Sequence, residues 1–592
     1  MIKNKSPRNI AVTQMIPKPV YLNLKTRDDA DSSFHEGLEL VDITDGKNAK
    51  SGIALDTAES GNVWVDTDES HNLIIGSTGC GKSRRCLIES LLTILGTDDN
   101  AVIYDPKGEM YRLTSGLFEE NGYTVHVLDG RRGAESESWN VFKYPFELMH
   151  GFSEGGMDRA LEILLSIAQL ISPVTCPDPY WETSAQYAIY GAAVGVMKKA
   201  SDYRQVTFEK ILKRINWHFS EDATVHHLLN QIDEDDIEYT MMAPLLENAD
   251  NTRKCIISMI RHHLNPYVQS DTMKSLLSNS DIEFKEFLKG KIIVYLISPD
   301  ESDVFNPIIS IFVKSLYDYL VDKAYERGGT LRKRTNFILD EFAALPRIDR
   351  MPHIMSAARS RNIRLTLAVQ SLKQLDSVYG KDAEAIKGNC SNWVFFSSRD
   401  LMTLREISEL AGVDENGKRR YSTSDLQLFD KLSGEILVFR DRKKPKICHL
   451  RDISEFKHFM DGLEYESEAD IEEMNGTEVD IEYQPEESFI DKEGNIELYF
   501  GLISAIDVKM YAKGQTNELS KLAREGLWLI SNKFKDGTDP EYVYNIIEAF
   551  VCGSSLAMFK KGVLHILKEG EGFDQVIDVM EKIRSDLKFM KV

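Results

Sequence analysis

The sequence predicts an α/β core built on a parallel sheet, interrupted by an all-helical insert and followed by a separate C-terminal helical domain. Three observations carry this. Gly76-Ser77-Thr78-Gly79-Cys80-Gly81-Lys82-Ser83 fits G-x-x-x-x-G-K-[ST], after the apolar run Leu73–Ile75 and before a helix-like stretch, Arg84–Leu95. A second apolar run, Asn336–Leu339, ends in the paired carboxylates Asp340-Glu341. Between them, residues 155–288 carry apolar residues at helical spacing.

Taken in chain order, residues 1–70 read as a β-rich region, with short strands at Gly52–Leu55 and Asn62–Val65. Residues 71–154 hold the first part of the nucleotide-binding domain: strand Leu73–Ile75, the glycine loop, strand Ala101–Tyr104, Asp105-Pro106-Lys107-Gly108-Glu109, a short helix, and strand Thr124–Leu128. Short, continuously apolar strands suit a sheet covered on both faces. The insert, 155–288, reads as helices over Trp181–Lys198, Thr207–Phe219, Val225–Ile232 and Tyr239–Leu264. The sheet resumes over 289–455 with strands at Lys291–Ile297, Asn336–Leu339, Arg364–Val369, Asn392–Ser397 and Glu435–Arg440, and a long helix over Pro307–Glu326. Residues 461–490 contain 12 acidic residues and no Lys or Arg. They read as a solvated linker or as an acidic segment that occupies a basic pore or partner. Residues 494–592 return to helical periodicity as an accessory domain for docking or regulation.

The loop chemistry is specific. Glycines let successive backbone amides curl around phosphate oxygens, and the following helix start adds positive potential. Lys82 reaches the β- and γ-phosphates, and Ser83 offers a hydroxyl to Mg²⁺. Asp340 is the matching carboxylate for the metal, and Glu341 polarises water. Gln370 ends the next strand, where an amide either senses the γ-phosphate and its water or caps the strand. Arg359, Arg361 and Arg364 precede that strand as arginine-finger candidates or as surface ion pairs. Asp105 and Lys107 are candidates to support phosphate or metal. The cofactors expected are therefore ATP and Mg²⁺.

Composition narrows the partners. A net charge of −23 argues against a uniformly basic nucleic-acid surface, while leaving room for local patches. Arg332-Lys333-Arg334, Gly417-Lys418-Arg419-Arg420 and Arg440–Lys446 are basic runs that suit either phosphate contacts or solvated charge. The seven cysteines are dispersed with no C-x-x-C pair, the usage of a cytoplasmic protein with reduced thiols. The adjacent pairs His226-His227 and His262-His263 diverge on a helix, so they read as ordinary helix residues. The N-terminus reads as neither signal peptide nor membrane span, and no window holds 18 successive apolar residues. Any membrane association is expected to be peripheral, at the inner face of the cell membrane, or to run through a partner.

The ordered set of motifs resembles the VirD4/TraG family of type IV secretion coupling proteins, from about Gly52 to Pro445. The residues that carry it are His71, the glycine loop, Asp105-Pro-Lys-Gly-Glu109, Ser138-Trp-Asn140, Asp178-Pro-Tyr-Trp181, Asp340-Glu-Phe-Ala343, Arg359-Ser-Arg-Asn-Ile-Arg364, Gln370-Ser371 and Asn389-Cys390. The resemblance implies a RecA/FtsK-like P-loop NTPase with an inserted all-helical domain, a Mg-dependent ATPase assembled as a hexamer. It further implies recruitment of a relaxase on single-stranded DNA, delivery to type IV secretion channel proteins, and substrate recognition by the insert. On that basis Lys82 and Ser83 bind ATP–Mg²⁺, Asp340 orders the metal, Glu341 activates water and Gln370 transmits nucleotide state. Many relatives carry an N-terminal membrane anchor that is not seen in this sequence, which leaves two expectations open: a separate membrane subunit or a truncated sequence. Asp340-Glu-Phe-Ala-Ala-Leu also departs from the frequent form with Asn before Leu. A partitioning motor for DNA and a nucleotide-controlled protein-docking platform are the other functions compatible with these residues.

Overall fold

The computed structural model describes residues 33–455, apart from 44–47, 49, 134–135, 152–154, 175–177, 220–231, 300–302 and 430–432. All of the helix expected at Val225–Ile232 except Ile232, the acidic run at 461–490 and the C-terminal domain at 494–592 lie outside the described residues.

The strands are β1 (Glu39–Val41), β2 (Ile53–Thr57), β3 (Val63–Asp66), β4 (His71–Ile75), β5 (Asn100–Tyr104), β6 (Thr124–Asp129), β7 (Ile292–Ile297), β8 (Thr335–Leu339), β9 (Ile363–Val369), β10 (Cys390–Phe395), β11 (Glu435–Arg440) and β12 (Lys446–His449). Among the described residues, nine of them form one sheet in the order β12-β11-β10-β4-β9-β8-β5-β7-β6. From β10 to β6 every pairing is parallel, and β11 and β12 add an antiparallel edge. Strands β1–β3 form a separate antiparallel sheet, order β1-β3-β2.

Both faces of the large sheet are covered, which explains the unbroken apolar strands. Successive residues point to opposite faces. Leu73 and Ile75 join one core with helix Asn306–Glu326 and the helical insert. Ile74 joins the other, with residues 86–95, helix Glu109–Glu120 and the small sheet. That small sheet leans on the helix after the glycine loop: the amides of Gly52 and Ala54 donate to Thr93 Oγ1 (2.9 Å) and Ser90 Oγ (3.0 Å).

The stretch expected to be one helix over Arg84–Leu95 differs in detail. It opens as a wide, π-type turn over Lys82–Leu87 and is regular only over Ile88–Leu92. Its end tightens through i→i+3 bonds, Ile94 to Leu91 (3.0 Å) and Leu95 to Leu92 (3.1 Å). In the insert, Tyr239–Leu264 is two helices, Ile237–Leu246 and Asp250–Gln269. Asn248 breaks it: its Nδ2 donates to the carbonyls of Pro244 (3.1 Å) and Leu245 (3.2 Å), groups that lack partners at a helix end.

The insert also holds helices Gly156–Ile171, Tyr180–Lys199 and Phe208–His218. It leaves after β6 and returns at β7, adjacent strands at the sheet edge. Ser138-Trp139-Asn140 explains itself here as a clasp. Buried Trp139 bridges Ser280, Ser138 donates through amide and hydroxyl to Asp281 (2.8 and 2.7 Å), and the Asn140 amide donates to Ser280 Oγ (3.0 Å). Among the described residues, one helix, Asp303–Glu326, is long and apolar enough to cross a membrane by composition, yet 78% of its apolar window is buried, as in a core helix.

Candidate nucleotide site

The C-terminal ends of β4, β9, β8 and β10 converge on one edge of the sheet. Register Ile75↔Val369 and Leu339↔Leu367 sets the loop after β4 and the carboxylates after β8 on either side of β9. The loop is tied down at its start, with the Gly76 amide on Val369 O (3.1 Å) and the Ser77 amide on Ser397 O (3.0 Å). Only glycine fits first: a Cβ on Gly76 would lie 2.5 Å from Cys80 Sγ and 2.9 Å from Phe396 Cβ. Gly79 (φ +75°) and Gly81 (φ +102°) take the left-handed conformations that a concave run of amides requires. Thr78 is exposed, whereas the Cys80 side chain is buried under the loop, its thiol pushed up by that burial, which leaves only its backbone to face a ligand.

Lys82 is buried, and its Nζ donates to Gly76 O at 2.5 Å. Ser83 Oγ donates to Asp340 Oδ2 at 2.7 Å. These two hard oxygens come from residues 257 positions apart, and they converge beside the loop. Such a donor set fits a divalent cation next to bound phosphate. The other Asp340 oxygen accepts the Glu341 amide (2.9 Å).

Glu341 adopts φ 47°, ψ 42°. A left-handed conformation costs a non-glycine residue roughly 1–2 kcal/mol and is typical of residues held in place for function. The strain re-aims the side chain out of the strand, and Gln370 meets it: Nε2 donates to Glu341 Oε2 at 3.1 Å. Gln370 in turn accepts from Gln374 Nε2 (3.4 Å), on the helix Leu372–Tyr379. The amide therefore contacts the carboxylate rather than capping its own strand.

Behind this edge, Tyr104 Oη donates to Asn306 Oδ1 (3.4 Å), and Asn306 Nδ2 donates to Ala344 O (3.3 Å). The turn after Glu341 is thereby pinned to the start of the long core helix. No sequence pattern marks this support, because its members lie on three separate elements.

Other candidates fall elsewhere. Asp105 is buried at the end of β5 and accepts the amides of Glu109 (3.1 Å) and Tyr111 (2.9 Å), so it caps the helix Glu109–Glu120. Burial pushes its carboxyl up to about 6, and the Asp340 charge adds to the rise. Lys107 is exposed beside it. Arg359 donates to Asn389 O (2.6 Å) and Ser391 Oγ (2.8 Å), and Arg361 to Ala357 O (2.7 Å). Both precede β9, whose seven residues separate them from Gln370 by roughly 20 Å. The structure does not bring them to the Glu341 of their own chain. Arg364 is buried at the start of β9, donating to Ser51 O (3.0 Å) and Asp68 O, and burial lowers it to about 9. It is a structural residue, not a finger.

The basic runs are partly consumed as well. Lys333 pairs with Asp98, Arg334 donates to Thr67 O (3.0 Å), and Arg440 donates to Phe34 O. Lys418 and Arg419 remain exposed, Arg419 beside Glu409 (3.2 Å). His262 and His263 touch ring to ring, and no group suited to a metal occurs among the described His, Cys, Asp and Glu residues.

Comparison with known proteins adds the family. The chain is 21% identical over 402 residues to the conjugal transfer protein TraG of Escherichia coli, covering 63% of this chain and 60% of that one. It is 23% identical over 395 residues to the protein VirD4 of Rhizobium rhizogenes, covering 62% and 53%. The chain thus spans just over half the length of these curated relatives. Its fold matches the plasmid coupling protein TrwB, solved with the ATP analogue ADPNP (TM-score 0.51, 15% identity, 72% of this chain and 93% of that one) and with ADP and Mg²⁺ (TM-score 0.51, 16% identity, 72% and 94%). The likeness confirms the α/β, RecA-like P-loop fold with a helical domain. The profile of the type IV secretory system conjugative DNA transfer family matches residues 27–433, and the chain belongs to that family as a VirD4/TraG-type coupling protein.

Proposed function

We propose that this chain is a Mg²⁺-dependent ATPase that couples a relaxase–DNA substrate to a type IV secretion channel during conjugation. The observation that supports it most is the pair of contacts across β9: Ser83 with Asp340 at 2.7 Å, and Gln370 with Glu341 at 3.1 Å. Bound ATP–Mg²⁺ supplies the phosphoanhydride and the Lewis acid. Lys82 and the loop amides hold the phosphates, while Ser83 and Asp340 hold the metal. Glu341 orients the attacking water and takes its proton, and Gln370 fixes the Glu341 carboxylate and reports its state to the helix behind it. Arg359 and Arg361 serve the site of a neighbouring subunit in a homo-oligomer, a hexamer on the family pattern. The insert and the exposed Lys418–Arg419 turn meet DNA and relaxase. The chain works in the cytoplasm, peripherally at the inner face of the cell membrane.

ATP turnover tests the reading. Wild type and Glu341→Gln are compared with and without single- and double-stranded DNA. The reading expects stimulation by single-stranded DNA, with ATP still bound but not turned over by the variant. Stimulation by duplex DNA without relaxase binding would favour a partitioning motor. Turnover indifferent to DNA and relaxase would favour a docking platform, and equal turnover in the variant would remove Glu341 from the mechanism.

A further inference from the structure

The residue directly after Ser83 is held by a stretch of chain on the far side of the sequence. Arg84 donates from Nε to Asp452 Oδ2 (3.1 Å) and from Nη2 to Asp452 Oδ1 (2.6 Å). Two parallel bonds of this kind fix the plane as well as the position of a guanidinium. Its Nη1 meets Glu109 Oε1 (3.3 Å), on the helix that Asp105 caps. Arg85 is buried and donates from Nη1 to Leu450 O (2.5 Å). Two consecutive residues of the wide turn are therefore gripped by residues 450–452, just past β12.

The anchor itself is well held. Ser454 donates to Asp452 Oδ1 through amide (3.1 Å) and hydroxyl (2.8 Å). Burial pushes the Asp452 carboxyl up, but the bonds from Arg84 and Ser454 outweigh it and bring it to about 2, so it stays ionised at neutral pH. The turn it grips needs such a hold. A π-type turn is rare and is found frequently at functional sites. This one carries Lys82 and Ser83 at its first two positions.

We propose that Arg84 and Asp452 are a positioning pair: the segment after β12 clips the turn bearing Lys82 and Ser83, and so sets the affinity of the site for a nucleoside triphosphate with its divalent cation. This rests on the ATPase reading above. Neither residue touches the nucleotide; both act through the turn.

The full chain is titrated with a fluorescent ATP analogue and Mg²⁺, as wild type, Asp452→Asn, Arg84→Lys and the double variant. Asparagine keeps the shape without the charge, and lysine keeps the charge without the fork. Each single variant is expected to weaken binding about tenfold, and the double variant no further than about twofold beyond that, since both remove one contact. Melting temperature without nucleotide should stay within about 2 °C of wild type. Turnover at saturating ATP should fall less than affinity does. Additive losses, or a fall in stability that accounts for the lost affinity, overturn the proposal. Wild-type binding that both variants match overturns it alone. Failure of the wild-type chain to bind the analogue overturns the ATPase reading, and this inference with it.

Discussion

The two ends of the parallel sheet handle polar groups in opposite ways. At the N-terminal end, His71 lies buried between Met355 O (2.7 Å) and the Leu365 amide (3.0 Å). Asn392 donates to Asn72 (3.0 Å) and Asp66 (2.6 Å), and Asn72 donates to Thr366 (2.9 Å), a ladder running across β10, β4 and β9. Arg364 is spent on backbone carbonyls. At the C-terminal end, Ser83 pairs with Asp340 and Gln370 with Glu341 through side chains, Lys82 donates to Gly76 O, and Glu341 holds a strained backbone. Buried groups bonded to the main chain cannot be released without leaving that backbone unsatisfied. Side chains that satisfy each other at an edge can exchange those bonds for a ligand. One end secures the sheet, and the other is poised to act.

This contrast can be broken by mutation. Glu341→Gln should cost 10²–10⁴-fold in turnover, on the order of a lost general base, with melting temperature and ATP affinity kept. A parallel fall in stability would erase the distinction. At the other end, Arg364→Met should destabilise by roughly 3 kcal/mol, because Ser51 O and Asp68 O lose a donor, while turnover per folded molecule persists. Chemical denaturation checks the first and a stability-corrected assay the second. Full stability with lost turnover would return Arg364 to the catalytic candidates.

Arg359 probes the space between copies. Arg359→Ala should reduce turnover about tenfold or more, and mixing it with Lys82→Ala chains should restore part of it, since those chains keep Arg359 to lend to a neighbour. No recovery in the mixture would confine Arg359 to its bonds with Asn389 and Ser391.

His71 gives a pH signature. Burial lowers it to about 4 from an ordinary 6.5, so the neutral ring is the folded form. Between those values the unfolded chain binds a proton that the folded chain does not, and stability falls as pH drops through this window. His71→Asn should flatten that slope in melting curves taken from pH 7 to pH 4.5; an unchanged slope would show that other groups set it. The smallest effect is expected at Lys107: exposed beside Asp105, its change to alanine should alter turnover less than about twofold, as for most surface substitutions.

Sequence showed most where chemistry dictates spacing. The glycine loop and Asp340-Glu341 were legible because phosphate and metal need those residue types at strand ends. Gln370 was placed at the right edge, but its partner Glu341 emerged only from the register of β8 on β9. β12 stayed hidden because Lys446–His449 has four residues of mixed character, and pairing with β11 is what makes them a strand. The Arg84–Asp452 contact joins residues 368 positions apart, a separation no local pattern reports. Basic runs leave two readings open in the sequence for a related reason: charge counts do not say where a side chain ends. Arg440 turns onto the carbonyls of Phe34 and Glu36, and Arg334 onto those of Ser51 and Thr67.

The Trp139–Ser280 clasp has an evolutionary meaning. Two adjacent parallel strands always need a connection that crosses over the sheet. Here that obligatory bridge, between β6 and β7, is a helical domain whose two ends are clasped together at Ser138–Asn140 and Ser280–Asp281. Selection can therefore lengthen, rebuild or exchange the helices beyond the clasp while β4, β8 and β9 keep their register. The helices beyond the clasp can thus vary while the edge that carries Ser83, Asp340 and Glu341 is kept.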